Sequence, residues 1–528
     1  MILDLHSLPD DQSLSKQQAL LIFKQLEEKY QTQIDYMEEQ LRLFRNELFG
    51  RKSEKRTLPD HDQLSLFDQN EPVPVDAAVA EDSIVIPEHS RKKPGRKPLP
   101  ENLPRVEIIH DLAEEEKQCA CGARLSRIGE DTCEKLDYIP AKVRVLRHIR
   151  YKYACKRCEG VDGGGPTVKI APAPVQLIPK SIVTEGLLAH LVVSKFADAL
   201  PLYRQQKIFS RLGVEISRAT MANWFVQAAQ QCFPLVDLLQ NEIRNGPLIN
   251  VDESPFQVLN EPGRRNTTKS YMWVFRGGLL DRPALLYQYH PTRSGQIALD
   301  FLDGYNGYIQ SDAFSGYEHL KQKDGICHVG CWAHVRRKFV EVVKATKKHR
   351  GNRVNPIGLA DEALDYIGQL YKIEKEARLG DLEHNQIYRL RQQKAKPILH
   401  QFKEWLDAKE SITPPKGLLG KAIHYALNNW EKLIVYIEDG RLKPDNNAAE
   451  NAIRPFVVGR KNWLFAGHPN GAQASATFFT LIETAKANNL EPYAYLRYLF
   501  EKLPSVKKKK DYQFLLPQYL DRNVICHA

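Results

Sequence analysis

The sequence predicts a multidomain α/β protein whose core is one mixed sheet, and three observations carry that prediction. First, three β-patterned runs follow one another after residue 246: LINVDESPFQVL (248–259), SYMWVFRG (270–277) and ALLYQYH (284–290). Second, a helix-period segment, TRSGQIALDFL (292–302), separates them from a fourth strand in GYIQSDAFSGY (307–317). Third, the residues before 246 follow a different grammar, with helices, a polar linker and a cysteine-bearing block. A three-strand meander, a helix and then a fourth strand is the order of a ribonuclease-H-like sheet, in which strands 1 and 4 lie side by side.

Composition sets the outer bounds. The chain has 528 residues, with 75 Lys+Arg against 65 Asp+Glu and a formal charge of +10. That length suggests about three or four domains. Hydrophobic residues at 42% and charged residues at 27% exclude a disordered or fibrous chain. No apolar run is long enough to span a bilayer, and the start MILDLHSLPDDQS lacks a basic region followed by an apolar stretch. Nine cysteines, sparse and odd in number, fit a reducing cytosol better than a disulfide scaffold. A cytoplasmic protein without membrane contact is the expectation. The positive excess hints at a polyanionic partner, and its distribution has to carry that argument.

Residues 14–50 read as one helix with a heptad seam: Leu20, Phe23, Tyr30, Ile34, Met37, Leu41, Phe44 and Leu48 alternate at spacings of three and four, interrupted by Glu27. The pattern suits a coiled coil and self-association, and equally a single amphipathic helix docked on the body. Residues 51–104 are rich in Pro, Asp and Gln and read as a linker. Its basic run RKKPGRKPLPENLP (91–104) can track DNA phosphates or stay a solvated cluster. In the block 105–171, Cys119 and Cys121 precede an alternating apolar and basic stretch that ends in Cys155 and Cys158. Two such pairs resemble a four-thiolate Zn2+ site in a small zinc-finger-like β module. The first pair has one intervening residue, which strains two-point chelation, so Cys133 or His148 can take a place in the ligand set. Residues 180–240 read as helices. Within them RLGVEISRATMANWF (211–225) has a helix-turn-helix layout: Gly213 at the turn, Ser217 as cap, and Arg218, Thr220 and Asn223 directed toward a major groove.

The chemistry lies in a domain expected over 246–470. The first strand delivers Asp252 and Glu253 at its end, and the fourth exposes Asp312 on one face with Tyr308 and Gln310. PDNNAAENAIRPF (444–456) supplies a third carboxylate, Glu450, on a short helix that Asp445 or Asn446 caps and Pro455 ends. Two Asp and one Glu in oxygen-only company suit Mg2+ (two ions, or Mn2+ in its place), which activates a nucleophile and stabilises a leaving oxygen in displacement at phosphorus. Each carboxylate alone is more often a solvated surface group; their placement on strand 1, strand 4 and a later helix raises the trio. CWAHVRRKF (331–339) adds His334, Arg336 and Arg337 as candidate DNA contacts, with His334 equally suited to a structural role. Arg454, Arg460 and Lys461 form a second basic cluster beside Glu450. Residues 357–434 read as a helical insertion, and 471–528 as a C-terminal helical region and tail.

From Leu20 to about Leu499 the chain resembles transposases of the insertion sequence 66 type. The resemblance runs through LFGRKSEK (48–55), LDYIPAKVRVLRHIRYKYACKRC, SKFADALPLYRQQKIFSRLGVEISRAT, VDES, CWAHVRRKF, NNAAENAIRP and GRKNWLFAG (459–467), in that order. It implies a DDE transposase with Asp252, Asp312 and Glu450 on the catalytic positions. It also implies a zipper, a zinc-finger-like module and a helix-turn-helix ahead of the catalytic domain. The first cysteine pair departs from the wider spacing usual in that family. The implied activity is binding of the element's terminal inverted repeats, cleavage that frees a 3′-OH, and attack of that hydroxyl on target DNA. Its implied partners are double-stranded DNA, further protomers and small accessory proteins of the same element. Two rival readings share many of these features: a metal-dependent nuclease that cuts without joining, and a non-catalytic DNA-binding regulator.

Overall fold

The computed structural model describes residues 143–154, 168–312, 325–347 and 358–521, several positions between 313 and 323, and scattered positions from 20 to 37. Helical positions between 20 and 37 form α1, and its seam residues Leu20, Phe23, Tyr30, Ile34 and Met37 are all exposed. The expected linker (51–104) and the four cysteines Cys119, Cys121, Cys155 and Cys158 lie outside the described residues. Of that block, β1 (Lys152–Ala154) and β2 (Val168–Ile170) pair antiparallel; β1 takes up only the end of the alternating stretch expected to form strands, and residues 143–151 carry no regular secondary structure.

Helices α2 (Glu185–Phe196), α3 (Leu202–Arg211) and α4 (Arg218–Arg244) follow. Gly213 takes φ +78° in the turn between α3 and α4, a backbone region that a Cβ disfavours. The Ser217 hydroxyl caps α4 by accepting from the Thr220 N–H at 3.1 Å. The expected recognition helix is only the opening of a 27-residue helix that continues past Pro234. Its later turns bury Cys232, Leu235, Leu239 and Ile243 in the main core, so α4 is first of all a wall of the sheet domain.

The sheet comprises β3 (Leu248–Val258), β4 (Lys269–Leu279), β5 (Arg282–His290), β6 (Gly307–Gln310) and β7 (Ile326–Val329), in the order β5-β4-β3-β6-β7. The first three strands form an antiparallel meander, while β6 and β7 run parallel to β3. α5 (Gln296–Phe301) makes the crossover to β6, and its Phe301 ring stacks on Phe275 with centroids 3.7 Å apart. Continuous apolar runs in β4 and β5 match a sheet covered on both faces. The edge strand β5 is closed by α13 (Pro469–Ala487). The N–H groups of Leu285 and Tyr287 donate to the hydroxyls of Thr484 and Thr480 at 3.1 and 2.8 Å. These bonds satisfy groups that an open edge would present to another chain.

A second core belongs to α6 (Trp332–Lys347), α7 (Leu359–Leu379), α8 (His384–Leu390), α9 (Lys396–Glu410), α10 (Leu418–Asn428) and α11 (Trp430–Ile434), of which α7 to α11 fall where the sequence predicts a helical insertion. Phe402, Trp332, Tyr366 and Trp430 pack there. A π-helical turn over Arg391–Ala395 buries Arg391, which donates to Glu374 twice at 2.8 Å and to the carbonyls of Tyr436, Asp439 and Leu442. That full set of partners makes a buried guanidinium tolerable. The chain then returns to the sheet through α12 (Asn447–Trp463), the short β8 (Phe465–Ala466) beside the end of β3, α13 and α14 (Pro492–Lys502). Among the described residues no helix is long and apolar enough to cross a membrane.

Candidate active site

Alternation along β3 decides which side chains meet α12. Asn250, Asp252 and Ser254 share one face of the strand. The Asn250 amide donates to the Asn446 side-chain oxygen at 3.0 Å, and the Arg460 guanidinium donates to the Ser254 hydroxyl at 3.2 Å. Asp252 sits between these two contacts, so it faces the helix that carries Glu450. The sequence places Asp252 at a strand end, whereas it lies within the 11-residue β3. The strand that ends there is its neighbour: the β3–β6 register stops at Asn250↔Gln310. Past that point β3 loses its partner on one side, and the chain leaving β6 carries Asp312 into the gap.

The three carboxylates form one electrostatic group. Burial pushes the Asp252 carboxyl well above its usual range, and the charges of Glu253, Asp312 and Glu450 push the same way. The Glu253 N–H donates to Asp252 Oδ1 at 2.9 Å, and the Phe314 N–H donates to Asp312 Oδ1 at 3.1 Å. Glu450 receives charge from elsewhere: Arg337 reaches its Oε2 at 3.6 Å, and His334 Nδ1 lies 3.7 Å from its Oε1. Burial holds His334 below the ordinary imidazole range although Glu450 acts the other way. Oxygen donors from three elements, with an aspartate whose charge is suppressed by its neighbours, fit a hard divalent cation that would relieve the repulsion.

α12 departs from the expected short helix. Pro455 does not end it; the helix runs on to Trp463, the proline costing it one N–H donor. Asn446 precedes the helix without capping it, because its side chain is spent elsewhere. It accepts from Asn250 and donates to the Val251 carbonyl at 2.9 Å, while Asp445 accepts from the Asn447 N–H at 3.2 Å. Asn250 also donates to Gln310, and Gln310 to the carbonyls of Gly330 and Lys443. This buried amide network ties β3, β6 and the approach to α12 together beneath the carboxylates.

Glu253 points the other way. Its carboxylate accepts from the Tyr317 hydroxyl at 2.6 Å and from Arg293 Nε at 2.5 Å. The Arg293 guanidinium lies over the Phe314 ring at 3.7 Å and reaches Asp312 at 4.0 Å. Arg293, Tyr317 and the amide network escape a sequence reading. The signal for the network was present in the period-two spacing of Asn250 with Asp252 and of Gln310 with Asp312.

The remaining candidates divide. His334 and Arg337 face Glu450, whereas Arg336 acts on Tyr371. Arg454 is half-buried, Arg460 is engaged with Ser254, and Lys461 is exposed. At the start of α4, Arg218 and Asn223 are exposed, while the Thr220 hydroxyl is paired with Ser217 at 2.9 Å. One carboxylate from β3, one just past the adjacent β6 and one from a later helix, flanked by arginines, are suited to chemistry on a phosphodiester.

Comparison with known proteins identifies the family. The description "Transposase IS66 family" matches over residues 180–474, which take in all three carboxylates. The zinc-finger binding domain of transposase IS66 matches over 116–159, a stretch that includes Cys119, Cys121, Cys155 and Cys158. "Transposase C of IS166 homeodomain" matches over 36–108, taking in the end of the heptad seam and the Pro-rich stretch, and the IS66 C-terminal element matches over 480–518. The chain is similar to three uncharacterized proteins of Sinorhizobium fredii. y4jD is 36% identical, covering 77% of this chain and 78% of the relative. y4hP is 31% identical, with coverage of 87% and 84%, and y4qI is 32% identical, with coverage of 90% and 87%. On the match through the carboxylate-bearing region and the extent of these likenesses, the chain belongs to the IS66 family of transposases.

Proposed function

We propose that this protein is a DDE transposase with a ribonuclease-H-like catalytic domain, and that Asp252, Asp312 and Glu450 are its catalytic carboxylates. The observation that carries the reading is their convergence: one on β3, one just past β6 and one on α12, close enough to raise Asp252 together. The three would hold Mg2+, or Mn2+ in its place. Bound ions supply activation of the attacking hydroxyl and stabilisation of the leaving oxygen in an in-line displacement at phosphorus. The chain's own part is positional and electrostatic. The amide network fixes the two strands against α12, Arg337 offsets the charge of Glu450, and the exposed Lys461 extends a cationic edge for the DNA backbone. The reaction frees a 3′-OH at the transposon end and directs it onto target DNA.

The exposed residues at the start of α4 support a role in reading the terminal inverted repeats, with Arg218 and Asn223 as the base-reaching side chains. The exposed seam of α1 supports self-association into a synaptic multimer. The cysteine module is proposed to hold structural Zn2+, and the protein to act in the cytoplasm with accessory proteins of its element.

The test uses labelled DNA carrying the ends that border this gene, incubated with Mg2+ and a target duplex. The wild type is expected to yield both cleaved ends and joined products, and Asp312→Asn neither. Cleaved ends without joined products would favour the nuclease. Binding without cleavage by the wild type would favour the regulator.

A further inference from the structure

Glu450 has neighbours that a site for hard cations does not need. Cys331 and His334, at the start of α6, come together with it so that one donor atom from each lies within 4.8 Å of the others. His334 Nδ1 and Glu450 Oε1 are both buried and both lack a hydrogen-bond partner. At 3.7 Å they are too far apart to bond each other. That separation is what two ligands flanking one ion adopt, with metal–ligand bonds of about 2.0–2.3 Å. Cys331 Sγ is the third donor. It accepts from the Asn446 N–H at 3.2 Å and from the His334 N–H, and these bonds oppose only in part the burial that pushes the metal-free thiol up to about 12. The other carboxylate oxygen of Glu450 is turned to Arg337, which leaves Oε1 available.

We propose that Cys331, His334 and Glu450 form a three-ligand site for a thiophilic divalent cation, Zn2+ above all. A sulfur, an imidazole nitrogen and a carboxylate oxygen form a borderline-soft donor set, which discriminates against Mg2+ and its all-oxygen preference. Three protein ligands leave a coordination position open to water or a phosphate oxygen. The ion replaces the thiol proton of Cys331, which leaves to solvent. The site shares Glu450 with the catalytic reading and deepens it: the Glu450 corner and the aspartate corner of one centre differ in metal preference.

The experiment titrates the full-length chain with Co2+, a spectroscopic stand-in for Zn2+, after removal of bound metal. The cysteine module contributes equally to every variant. The wild type is expected to bind one more equivalent than Cys331→Ser, and that equivalent carries thiolate-to-cobalt charge-transfer absorption. His334→Gln is expected to weaken the same equivalent by about tenfold or more, and excess Mg2+ to leave it in place. Equal stoichiometry and equal absorption in the wild type and both variants would overturn the site, as would displacement by Mg2+. If Cys331→Ser does not fold by circular dichroism, His334→Gln, at a partly exposed position, decides. Asp252→Asn separates the two readings. It is expected to keep the Co2+ equivalent while losing strand transfer, so either reading can fail alone.

Discussion

Asn250 on β3 donates its side-chain amide to Asn446, just before α12, across 3.0 Å, and Asn446 returns a bond to the backbone carbonyl of Val251. Residues almost two hundred positions apart in the chain are thereby clamped, and the clamp sits under both Asp252 and Glu450. Asn446→Ala leaves the Val251 carbonyl without this partner in a buried setting. The expected cost is about 1–3 kcal/mol of stability, measured by denaturant unfolding. Strand transfer is expected to fall further than stability alone explains, with end-DNA affinity in a gel-shift assay unchanged. An Asn446→Ala protein with normal strand transfer would remove the positioning role.

The carboxylate cluster makes stability depend on pH and on divalent ions. The Asp252 pKa is raised in the folded chain, so between its unfolded and folded values the folded state binds the extra proton. Metal-free stability therefore falls as pH rises through that window. Asp252→Asn is expected to raise the melting temperature of the metal-free protein at neutral pH, and by less at acidic pH. Mg2+ is expected to stabilise the wild type, by about 2.7 kcal/mol at a hundred times its Kd, and Asp252→Asn by much less. Differential scanning calorimetry with and without chelator reads both effects. Equal stabilisation of the two proteins by Mg2+ would place the ion elsewhere.

Lys195 on α2 provides a second pH signature, independent of the site. Its ammonium lies over the rings of Phe196 and Trp463, and burial brings it down to about 8. Between that value and the ordinary lysine range, the unfolded chain binds more protons than the folded one. The contribution of Lys195 to stability thus rises with pH across this interval. Lys195→Met is expected to raise the melting temperature by a few degrees at pH 7, and the gap to the wild type is expected to close as pH approaches 10. A gap that does not change with pH would mean the ammonium is not desolvated.

Self-association is expected to depend on the seam of α1. Ile34 and Met37 are exposed on that helix. Placing Asp at both positions buries two charges in any coiled-coil interface, a cost of several kcal/mol unless they are paired. Sedimentation of Ile34→Asp/Met37→Asp against the wild type checks this. The variant is expected to shift to a smaller species, and an unchanged distribution would point to an interface elsewhere.

Much of the sheet domain was legible in the linear pattern because its signals are local. Period-two runs and a helix-period crossover reported β3, β4, β5, α5 and β6 in order, and Gly213 and Ser217 marked a turn and a cap that are both present. Two misreadings were also local in origin. Pro455 reads as a helix end because it lacks an N–H, yet packing of Ile453 and Phe456 into the main core carries α12 through it. Asp252 reads as a strand terminus because polar residues follow, yet antiparallel pairing with β4 continues the strand to Gln257.

What the chain's own order determines, then, is which carboxylates are candidates: an aspartate on one strand, another just past its neighbour and a glutamate on a later helix. Periodicity and motif strings are enough for that. What only tertiary structure decides is which side chains share a face and what surrounds them. Alternation turns Glu253 to Tyr317 and Arg293 while Asp252 turns to α12. The helical insertion returns the chain so that Cys331 and His334 meet Glu450. Such meetings depend on the register between strands and the docking of a distant helix, and burial and charge coupling exist only once those long-range contacts have formed.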